Sequence, residues 1–274
     1  MAAEDPLGRG ATASLLAAHG VHPRRDLGQH FLVDPNVVRR IVAVAGVGPG
    51  DRVLEIGAGA GTLTRGLAAA GARVLAYEID PRLRPVLEAA FEGVAGLEVR
   101  YADASGLDPA SLEDGPWVVV ANLPYNVGTP LLLHLLRHAP AITRFVVMLQ
   151  REAVERLAAA PGSRIYGLPS VVVRLHGTIT VAFRVPPTVF LPPPEVESAV
   201  AVIHRAPADP RAERALSLAA TAFGQRRKML RRSLAAALAD PAATLAAAGI
   251  DPTRRAEDLA PEEYLHLAEV ADGS

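Results

Sequence analysis

Short apolar runs alternate with helical patterns from about residue 37 to residue 160. Between the runs, apolar side chains recur at the three- to four-residue spacing of an amphipathic helix over 62–70, 81–91 and 129–138. The runs themselves predict strands at 52–56, 73–77, 97–101, 117–121 and 143–149. This alternation predicts a parallel sheet with helices on both of its faces.

Two further β-like runs, 178–184 and 198–205, are separated by a proline-rich loop over 186–194. That loop is too short for a helical crossover, so we expect these strands to pair antiparallel at one sheet edge. The chain after residue 210 is helical in pattern, and 206–210 reads as a linker. We therefore predict a domain over 1–205, with an N-terminal extension at 1–25, and a small all-α domain over 206–274.

Composition narrows the classes of protein to consider. No apolar run is long enough to cross a bilayer, and the chain has no cysteine. We expect a cytoplasmic protein without a membrane partner, without disulfides and without thiolate metal sites. The net charge is −1, so any surface that binds nucleic acid must be local.

A glycine-rich loop follows the first predicted strand and opens a helix. Gly57, Gly59 and Gly61 form G-x-G-x-G rather than the dinucleotide pattern G-x-G-x-x-G. Glu55 precedes the loop, where a carboxylate would repel a pyrophosphate. The loop therefore favours a nucleoside without phosphates, which S-adenosylmethionine fits, and a plain tight turn between strand and helix is the alternative.

Acidic residues follow the next two predicted strands. Glu78 stands where a carboxylate can bind both hydroxyls of a ribose, and Asp103 where one can accept the amine of an adenine. Either acid alone could be a helix cap. Together with Gly57 and Asn122 they mark four strand ends, and such ends line the ligand crevice of an open α/β sheet.

The fourth strand ends in Asn122-Leu123-Pro124-Tyr125. The Asn122 side-chain oxygen and the Pro124 carbonyl can accept the two N–H groups of an exocyclic amine, while Tyr125 stacks on the base. Such a clamp would direct the nitrogen lone pair out of the ring plane for attack. The alternative is an Asn-x-Pro turn with a packed tyrosine.

Basic residues crowd one short segment of the C-terminal part: Arg226, Arg227, Lys228, Arg231 and Arg232. On one continuous helix, four of them would share an arc beside a row of apolar side chains. This pattern predicts an RNA-binding surface, with a solvated helix face as the alternative. Arg24 and Arg25 are weaker candidates for RNA contact.

In these motifs the chain resembles the ribosomal RNA adenine N6,N6-dimethyltransferases, and within them the KsgA type that acts on small-subunit rRNA. The resemblance runs from about residue 26 to residue 267. Its motifs are 27–32, 55–61, Glu78, Asp103, 122–130, 161–167, 190–200 and 223–228.

This resemblance implies a Rossmann-like S-adenosylmethionine-dependent methyltransferase with a mostly parallel seven-stranded sheet and a small all-α C-terminal domain. It implies S-adenosylmethionine as methyl donor, no metal, and dimethylation of two adjacent adenosines in a loop near the 3′ end of 16S rRNA. The partner it implies is small-subunit rRNA in the pre-30S particle. We expect the protein to act as a monomer.

Carried over to matching positions, the resemblance puts His30 and Leu32 against the cofactor and Phe190 beside the target base. Three positions depart from the family pattern: His30 replaces Asn, Gly128 replaces Ser and Glu195 replaces Lys. Because a monomethylated amine needs room for its methyl group, we hypothesise that Gly128 supplies space for the second transfer.

Other functions remain open at this point. One is methylation of adenine in large-subunit (23S) rRNA, which assays on 30S and 23S substrates would distinguish. A second is methylation of a DNA adenine or a protein glutamine, although such enzymes more often carry Pro in place of Leu123. A third is a non-catalytic ribosome-assembly factor that holds RNA.

Overall fold

The computed structural model describes residues 5–24, 26–112 and 115–273. The strands are β1 Phe31–Leu32, β2 Arg52–Ile56, β3 Arg73–Tyr77, β4 Leu97–Arg100, β5 Trp117–Asn122, β6 Ile142–Gln150, β7 Gly177–Val185, β8 Phe190–Leu191 and β9 Ser198–Arg205. The helices are α1 Arg9–Ala18, α2 Pro35–Ala45, α3 Thr62–Ala69, α4 Arg84–Ala90, α5 Gly128–His138, α6 Arg151–Ala158, α7 Leu168–His176, α8 Ala212–Gly224, α9 Leu230–Ser233, α10 Pro241–Ala247 and α11 Pro261–Asp272.

Within the described residues, seven strands form one sheet in the order β4-β3-β2-β5-β6-β9-β7. Strands β2 to β6 pair in parallel, and β9 pairs antiparallel with β6. The predicted mostly parallel sheet is confirmed, and β2, β3 and β9 have the predicted bounds. The near-continuous Val, Leu and Ile of the inner strands are buried on both faces, as helices on both sides require.

The helix between β1 and β2 shows how local sequence fixes an element. The Asp34 carboxylate accepts the amides of Asn36 and Val37, Pro35 occupies the first turn, and Gly46 closes α2 in the left-handed conformation. These are the ordinary signals that begin and end a helix. These signals define both ends of α2.

The proline-rich loop contains a strand that the sequence did not predict. β8 pairs antiparallel with β1, with Phe31 opposite Leu191 and Leu32 opposite Phe190. Two-residue strands are too short to produce a periodic pattern, which is why sequence patterning missed them. The pair joins residues 31–32 to the start of the segment 190–197.

The described chain divides into two compact units. The first contains the described residues up to 154 together with 180–204, and the second contains 155–179 and the described residues from 205. Residues 155–179 thus group with the C-terminal helices, whereas the sequence prediction assigned them to the N-terminal domain. Within the second unit, α7 packs on α8, which explains the grouping. Whether 1–205 and 206–274 are independent domains stays a prediction.

The second unit corrects one prediction, because the basic segment is not part of a continuous helix. α8 ends at Gly224, and only the four residues of α9 become helical again. The amides of Leu230 and Arg231 donate to the carbonyls of Arg254 and Pro252 instead of to helical positions. Because these amides bond to residues 252 and 254, they are not available for helical hydrogen bonds, and the single helix predicted through the basic segment does not form.

No helix among the described residues is both long enough and apolar enough to cross a membrane.

Candidate active site

A pocket opens in the first unit at the ends of β2, β3 and β5. Its walls are the segment 27–32, the glycine loop after β2, and the residues that follow β3 and β5. Seven of the predicted site residues line it: His30, Leu32, Gly57, Glu78, Asn122, Pro124 and Tyr125. The carboxyl ends of parallel strands meet at one edge of a sheet, which is why Gly57, Glu78 and Asn122, predicted from their strand ends, line one pocket. His30 and Leu32, which the resemblance placed at the cofactor, line it as well.

The glycine loop lines the pocket with backbone in a conformation that favours glycine. Gly57 and Gly59 have φ of +81° and +58°, in the left-handed region that favours glycine. A Cβ on Gly59 would lie 3.1 Å from the Phe31 ring. The amides of Gly57 and Ala58 both donate to the Tyr77 carbonyl, at 2.8 and 3.0 Å, which fixes the loop against β3.

Glu78 is held rigidly at the bottom of the pocket. One carboxylate oxygen accepts the Gly59 amide and the other accepts the Asp80 amide, each at 2.8 Å. Burial raises the pKa of Glu78, and these backbone hydrogen bonds oppose the shift. Each oxygen keeps an unused lone pair, so a diol can still donate to both oxygens. This geometry fits a ribose.

Glu55 lies beneath the glycine loop and also lines the pocket. Its side chain is only 1 % exposed, and its Oε2 has no hydrogen-bond partner among the described residues. Burial raises the pKa of Glu55 to about 8; the nearby Thr64 hydroxyl opposes the shift, and the charge of Glu78 adds to it. Burial and the neighbouring charge therefore both favour the protonated form of this carboxyl.

The Asn122 amide has a defined orientation. Its Nδ2 donates to the backbone carbonyl of His30 at 3.2 Å. The side-chain oxygen is thereby turned away from that contact and remains available as an acceptor. Because the bond uses the backbone of His30, it does not depend on which side chain occupies position 30.

Tyr125 is held from two sides. Its hydroxyl shares a hydrogen bond with the Ser198 hydroxyl, 2.7 Å between the oxygens, and its ring stacks on His30 with centroids 5.6 Å apart. The Nδ1 of His30 donates to the Pro192 carbonyl at 2.9 Å, since a carbonyl can only accept. Burial raises the pKa of the Tyr125 phenol, so the group stays neutral. The ring is a fixed platform for a flat partner.

The Pro124 carbonyl already accepts one hydrogen bond, from the Gly128 amide at 2.7 Å. A carbonyl oxygen has a second lone pair, so it can still accept an N–H from a ligand. Gly128 itself is buried and does not line the pocket. A Cβ there would lie 2.7 Å from both Leu123 Cβ and Leu149 Cδ2. The hypothesis that Gly128 makes room for a second methyl group is wrong, because Leu123 and Leu149 fill the space that a side chain would occupy there, and this space lies in the core rather than in the pocket.

Two predicted site residues lie outside the pocket lining. Phe190 is completely buried in the hydrophobic core, where β8 pairs with β1. It therefore offers no face to a base, which corrects its predicted place beside the target. Asp103 is exposed, and its Oδ1 accepts the Ser105 amide as the cap of a short 3₁₀ turn. Its role toward an adenine stays a prediction.

Among the residues that form or support the pocket and were not singled out from the sequence, three are instructive. Ser198 is a polar residue at the start of an apolar strand, a signal that could have identified it. Gln29 donates to Asp80 at 2.9 Å and ties the segment 27–32 to the residues that follow β3. Ile79 lines the pocket although its side chain is 49 % exposed.

The basic segment belongs to the second unit. Arg227, Lys228, Arg231 and Arg232 are exposed there. Arg226 differs, since its guanidinium donates to the Glu257 carboxylate and to the Arg164 carbonyl.

The weaker candidates lie near the N-terminus. Arg24 forms an ion pair with Asp26, and Arg25 lies outside the described residues. In the described part of the chain, no three His, Cys, Asp or Glu side chains converge as a metal site would require.

Comparison with known proteins gives consistent results. The family model described as "Ribosomal RNA adenine dimethylase" matches residues 20–272. A Rhodospirillum rubrum protein named "Ribosomal RNA small subunit methyltransferase A" is 48 % identical over 95 % of this chain and 92 % of its own length.

Two solved structures share the architecture. A dimethyladenosine transferase from Plasmodium falciparum is 25 % identical, with a TM-score of 0.73, over 87 % of this chain and 96 % of its own. The 23S rRNA methyltransferase ErmE is 29 % identical, with a TM-score of 0.68, over 88 % of this chain and 99 % of its own.

Proposed function

Because the chain belongs to the ribosomal RNA adenine dimethylase family, we propose that it dimethylates the N6 amines of two adjacent adenosines in small-subunit rRNA. The methyl donor is S-adenosylmethionine, whose sulfonium supplies an activated methyl group. The loop near the 3′ end of 16S rRNA is the target, presented by the pre-30S particle. The enzyme works as a monomer in the cytoplasm.

The pocket of the first unit fits this donor. Gly57 and Gly59 line it with backbone in a conformation that favours glycine, and Glu78 offers two oriented oxygens to a ribose. Ile79 provides an apolar surface for an adenine ring. Asp103 is the acceptor proposed for the adenine amine, although in the described conformation it caps a turn.

The orientation of Asn122 is the observation that carries the proposal. With Nδ2 committed to the His30 carbonyl, the Oδ1 is left to accept one N–H of the target amine. The second lone pair of the Pro124 carbonyl accepts the other N–H, and Tyr125 supports the base. Two acceptors on one amine direct its lone pair out of the ring plane, and they stabilise the positive charge that develops on nitrogen.

The target adenine must leave its stack to reach this clamp, which an RNA loop permits at low cost. We assign the contact with the phosphate backbone to Arg227, Lys228, Arg231 and Arg232, which are exposed in one short segment. Arg226 supports that segment through its bonds to Glu257 and Arg164. The net charge of −1 does not favour nucleic-acid binding by the protein as a whole, but this segment supplies positive charge locally.

Small-subunit rRNA is preferred over the large-subunit alternative for one reason. A relative named for the small subunit is 48 % identical, whereas the 23S rRNA methyltransferase ErmE is 29 % identical.

The test uses undermodified small subunits, S-adenosylmethionine and primer-extension mapping of methylated adenosines. The wild type should dimethylate two adjacent adenosines. Asn122→Ala should lose the product while calorimetric binding of S-adenosylmethionine is only weakened. Asn36→Ala, a change of the same type on α2 and outside the pocket lining, should leave both unchanged.

Other outcomes would refute the proposal in distinct ways. Methylation of 23S rRNA with unmodified 30S particles would favour the large-subunit alternative. Cofactor binding without methylation of either RNA would indicate an RNA-holding factor. No calorimetric signal with S-adenosylmethionine would exclude the methyltransferase.

A further inference from the structure

The proline-rich loop 186–194 has few amide groups with which to hold its own shape. Five of its nine residues are proline, which has no N–H to donate. Its carbonyls instead accept hydrogen bonds from the N-terminal part of the first unit. The Val33 amide donates to the Val189 carbonyl at 2.9 Å, and the Nδ1 of His30 donates to the Pro192 carbonyl at 2.9 Å. The position of this loop therefore depends on donors that lie much earlier in the chain.

Arg9, the first residue of α1, supplies two further hydrogen bonds to this loop. Its Nη2 donates to the Phe190 carbonyl at 2.9 Å and also to the Thr188 carbonyl. Because a terminal guanidinium nitrogen carries two hydrogens, a single Nη2 can serve both carbonyls. These two carbonyls flank that of Val189, which the Val33 amide holds. Three successive carbonyls of the loop are thus bound to N-terminal donors.

The backbone from which Arg9 reaches is itself fixed. Thr12 and Leu16 of α1 are buried, and Leu16 packs in the hydrophobic core of the first unit. Hydrogen bonds from a charged guanidinium are stronger than those between neutral groups. Although the Arg9 side chain is exposed, it connects a packed helix to the proline-rich loop. The family match begins at residue 20, so Arg9 lies outside it.

The loop acts on both parts of the proposed amine clamp. The Pro192 carbonyl orients the His30 ring, which stacks on Tyr125. The pairing of β8 with β1 fixes the backbone next to His30, whose carbonyl accepts from the Asn122 amide. Glu78 and the glycine loop are held differently, by bonds among the residues that end and follow β2 and β3. The loop therefore supports the side of the pocket that faces the target base more than the side that faces the donor.

We propose that Arg9 is a positioning residue for methyl transfer. It fixes the loop 186–194, and through that loop it sets the His30 ring and the Tyr125 platform. Arg9 does not line the pocket, so its effect passes through the loop. The kinetic consequence rests on the proposed function, whereas the effect on the His30 ring does not.

Steady-state kinetics on undermodified small subunits separate the two sides of the pocket. Arg9→Met keeps the aliphatic part of the side chain and removes both donors. Its kcat should fall about tenfold, because small displacements of the groups around the reacting amine are costly, while the KM for S-adenosylmethionine changes less than about twofold. Arg9→Lys, whose ammonium can donate to both carbonyls, should have a kcat between those of the wild type and Arg9→Met.

The matched control is Arg73→Met. Arg73 is an exposed arginine at the amino end of β3, which is the edge of the sheet away from the pocket. This variant should keep the wild-type kcat and KM.

Nitrogen-15 NMR of the histidine rings tests the positioning without catalysis. Because the Nδ1 of His30 donates to the Pro192 carbonyl, the neutral ring carries its proton on Nδ1. At pH 8.5, where ordinary imidazoles are neutral, the wild type should show this form. Arg9→Met should show a mixture with the form protonated on Nε2, and Arg9→Lys a smaller share of that form. His30→Asn identifies the signals by their loss.

The outcomes distinguish this inference from the proposed function. A wild-type kcat in Arg9→Met would overturn the inference, and so would an unchanged His30 spectrum in that variant. A rise in the KM for S-adenosylmethionine as large as the fall in kcat would also overturn it, because it would indicate a general loosening of the pocket. No methylation by the wild type, together with an altered His30 spectrum in Arg9→Met, would refute the proposed function alone. Since Arg9 is exposed, the variants should fold, and urea unfolding curves check this.

Discussion

The hydrogen bond between Tyr125 and Ser198 should couple the proposed base platform to the stability of the first unit. Ser198 is fully buried, and its oxygen lies 2.7 Å from the Tyr125 hydroxyl. Tyr125→Phe removes one partner and leaves the serine hydroxyl buried without it, which costs about 1–3 kcal/mol. Ser198→Ala removes the other partner. Because the double variant leaves neither hydroxyl unpaired, the coupling free energy should be about 1 kcal/mol.

Urea unfolding of the wild type, both single variants and the double variant measures that coupling. Tyr101→Phe is the matched control, because Tyr101 makes its contacts through its ring, which lies beneath the Arg84 guanidinium and packs against the hydrophobic core. It should change the free energy of unfolding by less than about 0.5 kcal/mol. Tyr125→Phe keeps the aromatic face, so its methylation rate should fall less than about tenfold. Strictly additive single effects would refute the reasoning.

Three further predictions concern packing, acid stability and RNA. Gly128→Ser should lower the free energy of unfolding by about 1–3 kcal/mol and leave the ratio of mono- to dimethylated product unchanged. Gly10→Ser, where a Cβ would meet nothing within 4 Å, should change stability little. Equal urea midpoints for the Gly128→Ser and Gly10→Ser variants would contradict the packing argument. The hydrogen bond from Arg82 is the main reason that the pKa of Asp80 lies at about 2. The charged carboxylate therefore stabilises the folded protein above pH 4, and this contribution is lost as the pH falls toward 2. When the pH is lowered from 4 to 2, the free energy of unfolding of Asp80→Asn should fall by up to about 2 kcal/mol less than that of the wild type. Equal dependence on pH in the two proteins would contradict this. Arg227→Gln should reduce the salt dependence of RNA binding by about one in log-log slope without affecting unfolding, whereas an unchanged slope would exclude a phosphate contact.

Patterning predicted the sheet because its signal is repeated along the chain. Five parallel strands with intervening helices each carry several apolar residues at regular spacing, and their carboxyl ends necessarily share one edge. Gly57, Glu78 and Asn122 therefore come together without any knowledge of side-chain contacts. This part of the site follows from topology.

The features that escaped prediction depend on contacts between distant segments. The helix expected through the basic segment is broken by bonds from Leu230 and Arg231 to residues 254 and 252. The resemblance placed Phe190 beside the target base, but pairing with β1 directs this side chain into the core. The absence of a side chain at Gly128 suggested free space beside the target, whereas two leucines occupy the position that a Cβ would take. Local spacing carries no information on which distant partner a residue meets.

The pairing of β1 with β8 has a consequence for synthesis of the chain. The His30 side chain meets the carbonyl of Pro192, 162 residues later, and the His30 carbonyl meets the Asn122 amide, 92 residues later. Loop closure over such separations comes late relative to local contacts. A nascent chain that has emerged only as far as β6 already contains the five parallel strands and the glycine loop, but not the segment that fixes the His30 ring. The donor pocket therefore becomes complete only after residue 192 of 274 has been added to the chain, later than the five parallel strands and the glycine loop.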